Sequence, residues 1–157
     1  MVTRARPRVP REFLRDDELA AWQGLLRISG RVLRALDAAL RDAHGITVGE
    51  FDVLITLFNA PEQKLRMTEL AQRVSLSAAG LTHMVTRLER ERLVAREVDA
   101  DDRRGFHAVL TKKGLARLDA ARPVHNAVIR ELFLDRVSAD DRRALGRILE
   151  GAVGDTG

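Results

Sequence analysis

The residues best suited to chemistry in this 157-residue sequence lie along one face of a predicted helix. Leu81, Val85 and Leu88 repeat at the helical period and mark its buried side. The open side is small at its start and polar further on: Ala78, Ala79, Thr82, His83, Thr86 and Arg87. Such a face suits a DNA major groove, because small residues permit close approach and Thr, His and Arg reach base edges or phosphates. A solvated helix face is the alternative interpretation.

A second candidate is a charged turn between two apolar segments. Residues 93–98 and 106–110 alternate well enough to predict the two strands of a half-buried hairpin. The turn between them reads DADDRRG over residues 99–105. There a carboxylate can orient one guanidinium while another projects outward, and arginine recurs in narrow minor grooves as a shape-reading contact. A solvated, salt-bridged turn is the alternative.

Both features belong to one stretch, residues 67–110, which has the pattern of a helix-turn-helix followed by a two-stranded wing. Thr68 is predicted to cap the first helix of the pair, and Ser77 the second. Residues 65–67 form a short extended piece that could add an edge strand to the hairpin.

Long helices are predicted on both sides of this stretch. Between about residues 12 and 43, apolar residues recur at spacings of three and four, which predicts one helix too long for its own small core to cover. We therefore expect it to pack against a second copy of the chain as well. Pro123 lies inside the predicted fifth helix and predicts a kink or a break there. The caps of the other helices are predicted at Thr47 with Glu50, at Thr111, and at Ser138 with Asp141.

The predicted fold is mainly α with a small β-hairpin wing, a winged helix-turn-helix carried on long dimerisation helices. Residues 46–111 form the winged lobe, and residues 12–45 and 112–157 form the helical dimerisation region. Residues 1–11 carry alternating arginines and two prolines, which predicts a flexible basic arm. The arm is either a solubilising tail or a segment lying along a phosphate backbone.

Composition narrows the function further. The sequence has no cysteine, which excludes disulfides, thiol redox sensing and thiolate metal ligands. A net charge of +4 is compatible with a polyanionic partner, although 23 acidic residues dilute the excess. No apolar run approaches the roughly 20 residues of a membrane span, and the first residues lack the apolar core of a signal peptide. We expect a cytoplasmic protein with no membrane contact.

The sequence argues against an enzyme. No nucleophile motif, phosphate-binding glycine loop or paired-carboxylate pattern is present, and the four histidines have no metal-ligand spacing. We predict no catalytic residue, no metal and no cofactor. The alternative to a DNA reader is a winged-helix protein-interaction module that does not bind specific DNA.

The sequence resembles the MarR (multiple antibiotic resistance regulator) family over residues 46–114. The matching segments are MTELAQRVSLSAAGLTHMVTRLERERLV and DDRRGFHAVLTKKG. The resemblance implies a homodimeric transcriptional regulator, by family default a repressor, whose fourth helix enters the major groove of a pseudo-palindromic double-stranded DNA site and whose wing enters the minor groove. Asp102 would orient the wing pair Arg103 and Arg104, of which Arg104 matches the more typical groove-reading position. The implied contacts of the fourth helix are Ser77, Ala79, Thr82, His83, Thr86 and Arg87.

The resemblance also implies a small ligand, often anionic or phenolic, that binds between the dimer helices and the DNA-binding lobe and releases DNA. The candidate contacts are Trp22, Arg27, His44, Phe51 and Asp52. A structural role is the favoured alternative for each: a tryptophan on an apolar stripe, such as Trp22, is more often part of a core, and His44 beside Gly45 is more often a helix-terminal cation.

Overall fold

A computed structural model describes residues 13–74, 76–99 and 105–154. Its helices and strands follow the predicted order. The helices are α1 (Asp16–His44), α2 (Val48–Phe58), α3 (Met67–Arg73), α4 (Ala78–Arg90), α5 (Lys112–Leu132) and α6 (Ala139–Val153). The strands are β1 (Lys64–Arg66), β2 (Val94–Val98) and β3 (Phe106–Leu110). Short 3-10 turns lie at Pro61–Gln63 and Leu134–Arg136.

The three strands form one antiparallel sheet in the order β1-β3-β2. The predicted edge strand is therefore confirmed, although it begins one residue earlier and Met67 already belongs to α3. In the centre of the sheet Ala108 faces Leu65 on one side and Arg96 on the other. Ala108 and Leu65 are buried, so this face of the sheet packs against the helices.

The hydrophobic core lies between α2, α3, α4, the base of the hairpin and the first half of α5. The predicted α4 stripe is confirmed, since Leu81, Val85 and Leu88 are at most 1% exposed. This burial fixes the orientation of α4, because a helix with one side in the core must turn the opposite side outward.

Local capping signals placed most helix starts correctly. The Thr47 hydroxyl accepts the Glu50 N–H, and the Glu50 carboxylate accepts the Thr47 N–H, as the predicted capping box requires. The predicted caps at Ser77, Thr111 and Ser138 are also present. The prediction for Thr68 was wrong: β1 runs directly into α3, so Arg66 is the N-cap residue and Thr68 lies inside the helix.

The helix α5 continues through Pro123, which excludes a break there and leaves a kink as the prediction. A proline removes one N–H from the helical ladder and leaves the carbonyl four residues earlier without that donor. The fully buried side chains of Leu118 and Ala121, in the turn before Pro123, hold this part of the helix against the core. Tertiary packing therefore outweighs the local defect.

A carboxylate of α1 joins the two ends of the α1–α2 turn. Asp37 Oδ2 accepts a hydrogen bond of 2.6 Å from Arg41 Nε, and Asp37 Oδ1 accepts one of 3.1 Å from the backbone N–H of Val48. Val48 is the first residue of α2, where backbone N–H groups lack helical partners. Both hydrogen bonds hold the pKa of Asp37 below its ordinary value of 3.8, and the one from Arg41 has the larger effect.

Asp37→Ala should therefore lower the free energy of unfolding at neutral pH by about 1 kcal/mol, a value that allows for solvent screening of this partly exposed pair. A carboxylate with a lowered pKa stabilises the fold fully above its unfolded-state pKa, and loses this effect as pH falls through its folded-state pKa. Thermal unfolding at equal protein concentration should show a gap between the variant and wild type that is complete above about pH 4 and narrows as pH falls further. The control Asp42→Ala, at an exposed position of the same helix, should change little. A gap independent of pH would contradict the assignment.

Candidate nucleic-acid interface

The outward face of α4 begins at the N-terminus of the helix, which is capped and exposed. Ser77 Oγ accepts the Gly80 N–H at 3.1 Å. The first turn carries no acidic residue, so no side chain of that turn neutralises the positive end of the helix dipole. Ala78, Ala79, Thr82 and His83 are all exposed along this face. The arrangement provides a narrow, partly positive edge that a phosphate or a base edge can approach.

The two threonines of this face have already used their hydroxyl protons. Thr82 Oγ1 donates to the carbonyl of Ala78 and Thr86 Oγ1 donates to the carbonyl of Thr82, both at 2.8 Å. Thr86 is also half-covered, because Arg96 from β2 donates to its hydroxyl at 3.0 Å. Thr82 keeps an exposed acceptor and a methyl group, whereas the Thr86 hydroxyl already donates to one protein group and accepts from another.

Arg87 lies on the same helix but reaches away from the outward face. Its Nε lies 3.0 Å from Glu50 Oε1, and its Nη2 donates to the carbonyl of Gly45 at 3.3 Å. The Glu50 side chain is only 3% exposed, so this contact compensates a buried charge. Arg87 therefore ties α4 to the turn between α1 and α2.

The loop end of the hairpin contains a buried acidic group that sequence analysis did not single out. Asp99 is 4% exposed, and its Oδ2 lies 2.7 Å from Arg66 Nη2. His107 Nδ1 lies 4.0 Å from the same oxygen. The Asp99 N–H donates to the carbonyl of Gly105 and closes the base of the loop. The one available signal was the position of an acid directly after a strand, which does not by itself indicate burial.

The predicted wing contacts Asp102, Arg103 and Arg104 lie outside the described residues. The strands that flank them end in an exposed apolar pair, since Val98 lies opposite Phe106 and both side chains are largely exposed. Between the hairpin and the helix-turn-helix lies a cavity of about 490 Å³. Its lining comes from both sides and includes Arg66, Thr82, Arg96 and Phe106.

The predicted ligand contacts do not form one cluster within the chain. Phe51 is buried and stacks on His125 of α5, with ring centroids 4.2 Å apart. Asp52 follows it, and burial raises the pKa of Asp52 while the nearby His125 opposes the shift. Trp22 precedes His44 by 22 positions in one helix, so the two lie about 33 Å apart. Arg27 is exposed, also on α1, and the His44 carbonyl accepts a hydrogen bond from Arg117.

Trp22 instead lies in an apolar groove between α1 and α6. The groove has a volume of about 830 Å³ and is lined by residues that include Leu25, Ile28, Leu145 and Ile148. Several of its side chains are strongly exposed, with Trp22 at 52% and Ile148 at 64%. An apolar groove whose side chains are this exposed is typical of a surface that another molecule covers.

Within the described ranges, no helix is long and apolar enough to cross a membrane, and no three His, Asp or Glu side chains group as ligands of a metal ion.

This architecture defines a winged helix-turn-helix protein, and comparisons with known proteins identify its family. The MarR family model matches residues 46–106. The chain is 31% identical over 140 residues to the HTH-type transcriptional regulator YkoM of Bacillus subtilis, which covers 87% of this chain and 89% of YkoM. The protein belongs to the MarR family and is a DNA-binding transcriptional regulator.

Two further comparisons are informative. The chain is 36% identical over 81 residues to the HTH-type transcriptional repressor YetL of Bacillus subtilis, covering 52% of this chain and 48% of YetL. The fold matches Sco3205, a MarR family regulator from Streptomyces coelicolor whose crystal structure is a complex with DNA. That match has a TM-score of 0.85 and 28% identity, and covers 93% of this chain and 94% of Sco3205.

Proposed function

We propose that this protein is a homodimeric repressor that binds a pseudo-palindromic operator, with α4 in the major groove and the wing in the flanking minor groove. The observation that carries the proposal is the outward face of α4, which is exposed, polar and adjacent to the hairpin. YetL is named a repressor, which supports repression by this protein. Sco3205 is described in complex with DNA, which supports DNA as the binding partner here. The DNA target implies a cytoplasmic location.

The contacts along α4 divide into two groups. Ser77, Ala79, Thr82 and His83 face outward at the start of the helix, and we assign them to phosphates and base edges. Thr86 and Arg87 are engaged by protein groups, so we assign them to the orientation of the helix, with any DNA contact secondary. The remaining exposed acceptor of Thr82 and the His83 ring are the groups best placed to distinguish bases.

Dimerisation is supported by the apolar groove between α1 and α6. Its exposed side chains continue along both helices, with Leu26 at 52% and Val153 at 69%. A second copy of the chain would cover these residues by two-fold symmetry, as expected for the proposed dimerisation region at 12–45 and 112–157. The lobe at 46–111 would then be presented twice, about one DNA turn or roughly 34 Å apart.

A small aromatic or anionic ligand would act at the contact between α2 and α5. The stacked pair Phe51 and His125 joins the DNA-binding lobe to a proposed dimer helix, and Asp52 adds a carboxyl group beside His125 whose pKa is raised by partial desolvation. A compound that separates these two rings could change the distance between the two DNA-binding lobes of the dimer. It would do so only if it binds the dimer conformation with the changed distance more tightly than the DNA-binding conformation. Release of bound DNA by small aromatic carboxylates tests this proposal.

The DNA-binding proposal is tested by retardation of duplexes from the region upstream of the gene at several salt concentrations. The logarithm of the affinity for the specific duplex should fall linearly with the logarithm of the salt concentration, because lysines and arginines release counterions from phosphates. Arg103→Ala combined with Arg104→Ala should lower affinity and reduce the slope by about two, if each arginine contacts one phosphate.

A duplex of scrambled sequence serves as the control and should bind with similar salt dependence but lower affinity. Equal affinity for both duplexes would indicate a winged-helix interaction module without operator recognition. An unchanged slope in the double variant would remove the wing arginines from the interface.

A further inference from the structure

Arg96 of β2 spans the gap between the hairpin and the recognition helix. Its Nη2 donates to Thr86 Oγ1 at 3.0 Å and to the carbonyl of Thr82 at 3.3 Å. Its Nη1 lies 3.2 Å from Glu89 Oε2. One guanidinium thus contacts three residues of α4 over two helical turns, and the planar fork suits such a multiple contact. The side chain is 27% exposed, so these contacts are partly shielded from water.

The position of these contacts along the hairpin determines what they can do. The start of the hairpin is fixed at Leu93, which is buried and whose N–H donates to the carbonyl of Leu88. Arg96 lies three residues further along an extended strand, about 10 Å from that point. The β1–β3 ladder and the Arg66–Asp99 ion pair also hold the hairpin, but on its β3 side and at its loop end. Arg96 adds a contact that ties the outer strand β2 to α4 beyond Leu93. The cavity of about 490 Å³ beside Arg96 is the space into which a released hairpin could tilt.

We propose that Arg96 is a positioning residue that sets the angle between the wing and the recognition helix, so that one protomer can engage a major groove and the adjacent minor groove together. This inference rests on the proposed DNA-binding function. It also gives Thr86 a defined role: its hydroxyl accepts the hydrogen bond that joins the wing to α4, and it does not contact bases.

Footprinting at saturating protein tests the proposal on DNA. Arg96→Met and Arg96→Lys should both keep protection of the central major grooves and lose protection of the flanking minor grooves, with affinity about tenfold lower. Lysine keeps the charge but is a point donor that cannot hold the same set of acceptors. Thr86→Val removes the acceptor and should act in the same direction. Wild-type protection in Arg96→Lys would show that only charge matters and would overturn the proposal. Arg90→Met, at an exposed arginine of α4, is the control and should keep the flanking protection.

A second measurement on DNA-free protein separates this proposal from the proposed function. Because the chain has no cysteine, a single introduced cysteine carries one spin label per protomer. Labels at Val98→Cys report the wing-to-wing distance in the dimer, and labels at His83→Cys report the helix-to-helix distance. Arg96→Lys should broaden the first distribution and leave the second unchanged. Identical wing distributions with and without Arg96 would overturn the positioning role, even if the operator is bound. Missing minor-groove protection in the wild type would instead contradict the proposed placement of the wing.

Discussion

Gly114→Ala should destabilise the protein by about 1–3 kcal/mol or more, although alanine is normally the better residue in a helix. Gly114 lies in the first turn of α5, where a Cβ would press into the carbonyl oxygen of Leu93 and lie 2.8 Å from Leu110 Cδ1. The Leu93 carbonyl is backbone and cannot move by changing a rotamer. Its oxygen also accepts the Thr111 N–H at 3.2 Å, so displacing it disturbs the junction between the hairpin and α5.

The matched control is Gly146→Ala in α6. No atom lies within 4 Å of a Cβ built at Gly146, so this substitution should stabilise the protein by about 0.5–1 kcal/mol through helix propensity. Thermal unfolding at equal protein concentration compares the two variants, because the stability of an oligomer depends on concentration. Opposite signs are the expected result. A Gly114→Ala variant as stable as wild type, or more stable, would show that the close approach at Gly114 relaxes without cost.

The structure also shows which features of the chain are encoded locally. The capping box at Thr47 and Glu50 requires only two side chains three positions apart, and such pairs are visible in the sequence itself. The stripe of Leu81, Val85 and Leu88 follows equally from a period along one helix. These local patterns fix which side of α4 is buried, and so they also fix the composition of its outward face.

The contacts that orient this face come from distant parts of the chain. Arg87 reaches Gly45 across 42 positions, and Arg96 reaches Thr86 across 10. A helical projection shows that Thr86 and Arg87 point outward, but it does not show which side chains or carbonyl groups of other elements contact them. Sequence periodicity therefore indicated the correct helix face, but it did not show that Thr86 and Arg87 on this face also contact protein groups. The burial of Asp99 depends in the same way on Arg66, which the β1–β3 pairing places nearby.

Ile148→Asp should convert the proposed dimer into a monomer and reduce affinity for the complete operator by about 10²–10⁴-fold. Ile148 borders the apolar groove and is 64% exposed within one chain, so a carboxylate there is tolerated by the protomer but not by an apolar interface. The loss of affinity is large because the second half-site is normally bound as an intramolecular event at high effective concentration.

A duplex with a single half-site is the internal control for this prediction. One lobe contacts one half-site, so Ile148→Asp and wild type should bind it with similar affinity, while light scattering should show half the mass for the variant. Leu26→Asp on α1, 52% exposed on the facing helix, should behave in the same way. Circular dichroism and thermal unfolding establish that each variant still folds, since an obligate dimer can lose its protomer fold on dissociation. A variant that remains dimeric would exclude this groove as the interface. Equal weakening on half and full sites would mean that the substitution acts on the lobe and not on the pairing of two lobes.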